Sequence, residues 1–177
     1  DYEMLDRMGI SVKGKIVIAR YGGNFRGYKA KYAEAYGAAG LIIFTDPGDS
    51  GYAKGLVYPE GPFYDESGIQ RGSLLTLDWT GDPLTPFEPA LPLDGKKKVV
   101  RKKPEEVSGM HNIPVLPLPY GSAKEIIAQM KGKPVPAGWQ GGLPYTYRLE
   151  GGSELKVRVN VLQKREIQRV YNVVGTL

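Results

Sequence analysis

The sequence contains no cysteine and only one histidine among its 177 residues. Without cysteine there are no disulfides and no thiolate metal sites, and one histidine cannot supply the ligand set of an ordinary zinc centre. The longest apolar run, 38–44, is far shorter than the roughly 20 residues that span a bilayer, and the first ten residues lack a signal-peptide core. We therefore predict no metal cofactor in this chain and no membrane contact by it.

The net charge of +5 is modest, and much of it lies in one short stretch. The cations of this stretch are Lys96, Lys97, Lys98, Arg101, Lys102 and Lys103, and they follow a predicted turn at 93–95. Such a cluster can bind phosphate, but no aromatic residue lies among these cations to stack on bases. The pattern favours a solvated loop or edge strand over a nucleic-acid site.

The first 46 residues predict strand, helix, strand. Residues 15–19 and 41–45 are short apolar runs typical of buried strands, and 28–39 carries alanine and tyrosine at helical spacing. A helical crossover of this kind normally joins parallel strands. With 177 residues and 41% hydrophobic content, the sequence predicts one α/β domain.

The middle of the chain predicts a long surface excursion. Residues 46–92 are crowded with glycine, proline, aspartate and tyrosine, and only 73–77 has strand character. Residues 113–118 then predict a strand whose prolines place it at a sheet edge.

The last third of the chain predicts one helix and two strands. A helix is expected over 123–130, with Ser122 as its N-cap and Glu125 completing a capping box. Alternating apolar residues predict a strand over 154–162, and a final strand is expected over 169–177.

Three motifs resemble catalytic ones but are better explained structurally. Residues 48–51 copy the tetrapeptide around a serine-protease nucleophile, yet the single histidine, His111, follows it, so we predict a turn. Residues 22–27 have the spacing of a phosphate-binding loop, but Tyr28 and Lys29 occupy the positions of its lysine and hydroxyl residue. A structural or surface role is expected for His111, since it has no second ligand.

The loop before the first long helix nevertheless predicts a small anion site. A helix N-terminus presents free backbone N–H groups and the positive end of the helix dipole. Arg26 lies at this position, and its planar fork suits a carboxylate. By residue type alone, a solvated surface arginine remains the alternative.

Seven phrases of the sequence are similar, in content and order, to the protease-associated domain of the glutamate carboxypeptidase II and transferrin-receptor-like family of zinc peptidases. They are GKIVIARYG at 14–22, FRG at 25–27, AAGLIIFTDP at 38–47, QRG at 70–72, GDPLTP at 81–86, IPV at 113–115 and RVYNVVGTL at 169–177. The resemblance implies an α/β fold with a mixed, barrel-like central sheet flanked by short helices. It also implies that residues 1–177 form a single domain excised from a larger di-zinc peptidase.

The same resemblance implies roles for individual residues. Arg26 would bind the C-terminal carboxylate of a peptide substrate, and Phe25 would line the same pocket. Ser73 stands where the glutamate-specific member has an asparagine that binds the substrate side chain, so a strict glutamate preference is not implied. Thr85 and Glu88 would hold a calcium ion at the domain seam through their backbone carbonyls.

The resemblance further implies a substrate-capping domain that is inactive by itself and acts with the peptidase domain of the same longer chain. That longer protein would be a metallo-carboxypeptidase with two zinc ions, located outside the cytoplasm, in a group where homodimers are common. Two alternatives stay open at this point: a non-catalytic protein-interaction scaffold like the transferrin receptor, and a stand-alone peptide-binding module.

Overall fold

The structure, a computed structural model, describes residues 1–91, 95–164, 166, 169 and 171–176. Its helices are α1 (Tyr2–Arg7), α2 (Arg26–Ala35), α3 (Pro47–Ser50) and α4 (Tyr120–Ile127). Its strands are β1 (Ile16–Arg20), β2 (Gly40–Phe44), β3 (Gly81–Asp82), β4 (Thr85–Pro86), β5 (Val115–Leu118), β6 (Lys131–Pro134) and β7 (Arg148–Glu150). Helices and strands alternate through the sheet-forming part of the chain, which confirms the predicted α/β class.

The central sheet has the strand order β1-β2-β5, and both pairings are parallel. Every residue of the middle strand β2 is buried, because strands flank it on both sides and helices cover its faces. The strands predicted at 15–19, 41–45 and 113–118 are confirmed, each shifted by no more than two residues at either end. β5, which contains Pro117, lies at the end of the described sheet, as its prolines predicted.

Helix α2 packs one face of the sheet through small side chains. Ala30 and Ala33 are completely buried against Leu41 and Ile43 of β2. The helix begins two residues before the predicted start and ends four residues before the predicted end. It stops because Gly37 adopts a φ of 78°, a left-handed conformation that glycine tolerates and other residues resist.

The other face of the sheet packs on α4. Ala123 and Ile127 of this helix join Phe44 of β2 and Tyr147 in a second buried cluster. Burying one such large apolar side chain contributes about 1.5–3 kcal/mol. The two clusters, one on each face, hold β1 and β2 rigidly and thereby fix the loops at their carboxyl ends.

The expected mixed, barrel-like central sheet is not confirmed. Among the described residues the central sheet contains three parallel strands, and the antiparallel pairs β3–β4 and β6–β7 are separate two-stranded sheets. The β6–β7 pair was not predicted, because the sequence KGKP of β6 has none of the β-branched or aromatic residues typical of strands.

Two strand predictions near the carboxyl end are wrong for the residues that the structure describes. Leu155, Val157 and Val159 are half-buried between exposed neighbours, as the alternating pattern predicted, but Val161 of the same predicted face is exposed and no strand forms over 154–162. Alternation sets which side chains turn inward, whereas a strand also needs a hydrogen-bonded partner. Residues 169 and 171–176 are exposed and likewise form no strand, while Val170 and Leu177 of that prediction lie outside the described residues.

Two further predictions are corrected. Residues 73–77 form no strand, because their backbone packs against the first turn of α2 instead of pairing with another strand. Helix α4 begins at Tyr120 after Pro119, with no side-chain cap. Ser122 therefore lies inside the first turn, and Glu125 completes no capping box, because the fixed φ of proline starts the helix three residues earlier.

Candidate functional site

A cleft of about 430 Å³ opens beyond the carboxyl end of β1, where the chain turns into α2. Crevices at the carboxyl ends of parallel strands are common ligand sites in α/β folds. The lining of the cleft includes Tyr21, Asn24, Phe25, Arg26, Asp49 and Gln70. The structure thus brings two of the predicted site residues, Phe25 and Arg26, into one concave surface.

Arg26 is the first residue of α2, and part of its guanidinium is buried without compensation. Its Nε atom is buried and has no hydrogen-bond partner within the described part of the chain. The guanidinium carbon lies 5.3 Å from the centre of the Phe25 ring, a cation–π distance. A buried donor without an acceptor is costly, so the unpaired Nε of Arg26 needs an explanation.

The backbone of Gly72 supports the arginine from below. A Cβ atom placed on Gly72 would lie 1.8 Å from Nη2 of Arg26, so only glycine allows the guanidinium to rest there. Gly27 of α2 also lies close to the segment 72–76, since a Cβ on Gly27 would lie 2.5 Å from the carbonyl oxygen of Leu74. The segment 72–76 and the first turn of α2 therefore form one packed unit.

Ser73 belongs to this unit, but its hydroxyl has a local partner. Its Oγ accepts a hydrogen bond from the backbone N–H of Leu75 at 3.2 Å, and the residue is exposed. Ser73 directly follows Gly72, whose backbone contacts the guanidinium of Arg26. To bind a ligand directly, the hydroxyl would have to give up its hydrogen bond to Leu75; otherwise a water molecule would have to bridge the two.

The aromatic residue of the predicted pair is accessible. Phe25 is 40% exposed and packs edge-to-face against Tyr28, with ring centres 6.2 Å apart. Its backbone N–H donates to Oδ1 of Asn24 at 2.7 Å, and α2 begins after it without a side-chain cap. The cleft thus has an apolar wall beside the arginine.

The charge of the acidic residue in the same cleft, Asp49, is balanced by an arginine of this chain. Asp49 accepts two hydrogen bonds from Arg20, at 2.7 and 2.9 Å, in a two-pronged pair. The bond to Asp49 raises the pKa of the Arg20 guanidinium, although burial opposes it. Because the charge of Asp49 is balanced by Arg20, it does not compete strongly for Arg26.

Behind Asp49 lies a fully buried carboxylate that the sequence analysis missed. Asp46 accepts hydrogen bonds at 2.7 Å from the N–H groups of Gly48 and Gly142, and a third from the hydroxyl of Tyr147. Burial, with the adjacent Asp46 carboxylate, raises the pKa of Tyr147 well above its usual range. The only local signal was an aspartate followed by Pro47 at the end of a buried strand, since its other partners lie about 100 residues away.

The predicted calcium residues lie close together, since Thr85 begins β4 and Glu88 follows this strand by two residues. The carbonyl of Thr85 accepts from the N–H of Glu88 at 3.0 Å, and that of Glu88 accepts from the N–H of Asp82 at 2.8 Å. Each carbonyl keeps a second lone pair, which would supply two of the six to eight oxygens that calcium takes. No group of three or more histidine, cysteine or acidic side chains suited to a metal occurs among the described residues.

The basic stretch is a loop, which is one of the two predicted forms, a solvated loop or an edge strand. Residues 95–103 form neither helix nor strand and most are exposed, while Leu93 and Asp94 of the predicted turn lie outside the described residues. Lys97 pairs with Glu88 at 2.8 Å, and Lys102 lies 5.5 Å from the centre of the Trp79 ring.

The protease-like tetrapeptide at 48–51 is mostly the single helical turn α3. Its Asp49 is bound to Arg20, and His111 contacts Glu34 and Thr76 instead of Ser50. The contacts therefore agree with a structural role for this motif. Among the described residues, no helix has the length and hydropathy to cross a bilayer.

Comparison with known proteins shows which family the chain resembles. The PA domain family matches residues 2–75. Over 99% of the chain, a glutamate carboxypeptidase 2 homolog of Caenorhabditis briggsae is 38% identical, and over 100%, aminopeptidase NAALADL1 of Rattus norvegicus is 35% identical. The chain spans only 23% and 24% of the length of these two relatives. The chain is therefore a PA (protease-associated) domain of the glutamate carboxypeptidase-like proteins.

Proposed function

We propose that this chain is the substrate-capping domain of a zinc exopeptidase and that Arg26 binds the C-terminal carboxylate of its peptide substrates. The buried Nε of Arg26, which has no partner in the described part of the chain, carries the proposal. A carboxylate is the complementary ligand, since its two oxygens match the guanidinium fork and the resulting bonds are charge-assisted.

The surroundings of Arg26 support this ligand. Phe25 offers an apolar wall for the side chain next to the carboxylate, and Arg20 neutralises Asp49, the acidic residue of the cleft. Ser73 lies on the adjoining segment, where its short hydroxyl contacts Leu75. The site therefore suits a free carboxylate more strictly than it suits one particular substrate side chain.

The catalytic machinery is assigned to a separate peptidase domain of the same longer chain. In this proposal residues 1–177 form one domain that is inactive alone. The peptidase domain would hold two zinc ions, which would supply Lewis-acid activation of a water molecule. Backbone carbonyls of Thr85 and Glu88 contribute to a calcium site at the domain seam, and the carboxylate ligands of this site come from outside this chain. The longer protein works outside the cytoplasm, and it forms homodimers.

One relative favours a second candidate, since its name describes an aminopeptidase and it is 35% identical over 100% of the chain. An aminopeptidase reads the free ammonium group of its substrate, and this ligand would be repelled by the cation of Arg26. The two candidates therefore differ in which end of the substrate must be free.

The test is kcat/KM of the full-length protein on three matched dipeptides: both ends free, N-acetylated, and C-amidated. We expect the wild type to tolerate the acetyl group and to lose activity with the amide. Arg26→Ala should lower the preference for the acid over the amide about 30-fold, if the ion pair between Arg26 and the carboxylate contributes about 2 kcal/mol. Arg26→Lys, the matched control, keeps the charge without the fork and should retain part of the preference.

Three outcomes would contradict the proposal. Equal kcat/KM on the free-acid and the C-amidated dipeptide would exclude a carboxylate-binding site. Loss of activity on the N-acetylated dipeptide would favour the aminopeptidase. A full-length protein that hydrolyses none of the peptides with zinc supplied would favour the interaction scaffold.

A further inference from the structure

We infer that His111 is a positioning residue for the proposed carboxylate site, on whose existence this inference rests. His111 ties the segment 72–76, which carries Ser73, to helix α2, which carries Arg26. It does so from outside the cleft and contacts no residue that we assign to the substrate. No role beyond a structural or surface histidine follows from its sequence position.

The His111 side chain is only 3% exposed and lies between two polar partners. Its Nδ1 is 3.3 Å from Oε2 of Glu34, and its Nε2 is 3.3 Å from Oγ1 of Thr76. An ionised carboxylate can only accept, so Nδ1–H donates to Glu34. In the neutral ring Nε2 then accepts a hydrogen bond from the Thr76 hydroxyl, so the three groups form one directed hydrogen-bond chain.

Backbone hydrogen bonds fasten the loop that carries His111 at both sides. The N–H of Asn112 donates to Oε1 of Glu34 at 2.8 Å, and the N–H of Thr76 donates to the carbonyl of Gly109 at 3.2 Å. The loop therefore bridges α2 and the segment 72–76 through both backbone and side chains. Glu34 is half-buried, so its bonds are partly shielded from water.

The segment is held to α2 at two separated places. At the start of the helix, Gly27 lies against the carbonyl of Leu74 and Cγ2 of Thr76, and Gly72 lies against Arg26. Glu34 lies eight residues further along, about 12 Å away at the helical rise per residue. Two attachments to one rigid helix fix the orientation of the segment, and Ser73 lies beside the first of them.

Loss of the hydrogen bonds between Glu34, His111 and Thr76 should make the position of the segment 72–76 less fixed, although none of these residues contacts the substrate in our proposal. The segment would pivot about Gly72 and Gly27, and the guanidinium of Arg26 would lose its fixed support. Small errors of placement in a binding site have large effects on recognition. Because the chemical step is assigned to another domain, we expect KM to change more than kcat.

The experiment uses the full-length protein and four variants: Thr76→Val, His111→Leu, His111→Gln and His111→Asn. Thr76→Val removes only the hydroxyl, and His111→Leu removes both side-chain bonds. We expect each to raise KM for the free-acid dipeptide about fivefold, the effect of losing a hydrogen bond of about 1 kcal/mol, with kcat changed less than twofold. His111→Gln, whose amide occupies the place of Nε2, should retain the Thr76 bond and rescue KM better than His111→Asn.

Two controls separate positioning from general destabilisation. Ile127→Val loses one methyl group in the cluster on the opposite face of the sheet, and it should lower stability without changing KM. Thr76→Val combined with His111→Leu should be no worse than His111→Leu alone, since both remove the same bond. Hydrogen exchange should rise over 72–76 in His111→Leu and remain unchanged there in Ile127→Val.

The outcomes distinguish this inference from the proposed function. If the wild type prefers the acid and His111→Leu keeps its KM, the inference fails and the proposed function stands. If the wild type shows no preference, the proposed function fails and the inference fails with it. A KM change that Ile127→Val reproduces, or one that His111→Gln does not relieve, would also overturn the positioning role.

Discussion

Asp46 and Arg26 are charged side chains beyond the carboxyl ends of neighbouring parallel strands, but their surroundings differ. Asp46 is fully buried, and its oxygens accept hydrogen bonds from Gly48, Gly142 and Tyr147. Arg26 is half-buried, and its Nε has no partner within the described residues. The hydrogen-bond partners of Asp46 all come from the chain, as expected for a charge that maintains the fold. Nε of Arg26 lacks such partners, as the proposed carboxylate site requires.

This contrast also separates the two sides of the cleft. On the Asp46 side, Arg20 and Asp49 form an internal pair, and Arg20 also donates to the carbonyl of Gln140 at 2.6 Å. On the Arg26 side, the contacts are an aromatic ring and the backbone of Gly72. Neither of these contacts supplies a hydrogen-bond acceptor to Nε of Arg26.

The largest expected effect comes from removing the buried carboxylate. Asp46→Ala leaves the N–H groups of Gly48 and Gly142 and the hydroxyl of Tyr147 without their acceptor. Breaking a buried charged network by deleting one member costs about 3–5 kcal/mol. Urea denaturation should show this loss, and Asp46→Asn, which retains one acceptor oxygen, should lose less. Unchanged stability in Asp46→Ala would remove the structural role of the network.

A smaller loss, dependent on pH, is expected at Tyr147. Tyr147→Phe removes the hydrogen bond to Oδ2 of Asp46, which keeps, among the described residues, only Nε of Arg20 at 3.9 Å, and this loss costs about 1–3 kcal/mol. The fold raises the pKa of Tyr147, so above pH about 10 the unfolded chain loses this proton first and the wild type loses stability as pH rises. Denaturation from pH 7 to 11 should show a shallower decline in Tyr147→Phe. An identical slope in both proteins would contradict the assigned pKa direction.

On the open side, Gly72→Ala tests the support of Arg26 while preserving its charge. The new Cβ would lie 1.8 Å from Nη2, so the guanidinium must move. We expect the kcat/KM preference of the full-length protein for the free acid over the amide to fall about tenfold, equivalent to about 1.4 kcal/mol. Gly138→Ala is the matched control, since a Cβ there meets nothing within 4 Å. A preference that survives Gly72→Ala would separate Arg26 from substrate recognition.

The smallest effect is expected at Ser73. Ser73→Asn lengthens the side chain and supplies an amide that can extend beyond the local bond to Leu75. We expect the kcat/KM ratio for substrates ending in glutamate over those ending in a neutral residue to rise about fivefold, with stability changed by less than about 0.5 kcal/mol. Ser73→Ala should leave the ratio near its wild-type value. A rise in Ser73→Ala equal to that in Ser73→Asn would exclude the amide as its cause.

The sequence predicted the elements whose signals are local. The apolar runs of β1 and β2 and the alanine spacing of α2 each occupy one short window, so the strand-helix-strand order could be inferred. The partners of Asp46 could not, because Gly142 and Tyr147 are 96 and 101 residues away. Residues 154–162 show the converse limit: their alternation predicted which side chains turn inward but could not provide a pairing strand.

The candidate site shows the same division. Arg26 could be named from its place at a helix start and from family resemblance, but its buried Nε and its contact with Gly72 became visible only in the structure. His111 had no sequence signal beyond being the single histidine. Its partners Glu34 and Thr76 are 77 and 35 residues away, and neither belongs to a motif.

The most direct test compares Arg26→Ala with Asp46→Asn in the full-length protein, measuring for each the free energy of unfolding and the ratio of kcat/KM on free-acid and amidated dipeptides. We predict opposite results: Asp46→Asn loses stability and keeps the ratio, while Arg26→Ala loses the ratio and keeps its stability to within about 1 kcal/mol. If Arg26→Ala instead unfolds the protein as readily as Asp46→Asn while keeping the ratio, Arg26 is a structural residue and the account is contradicted.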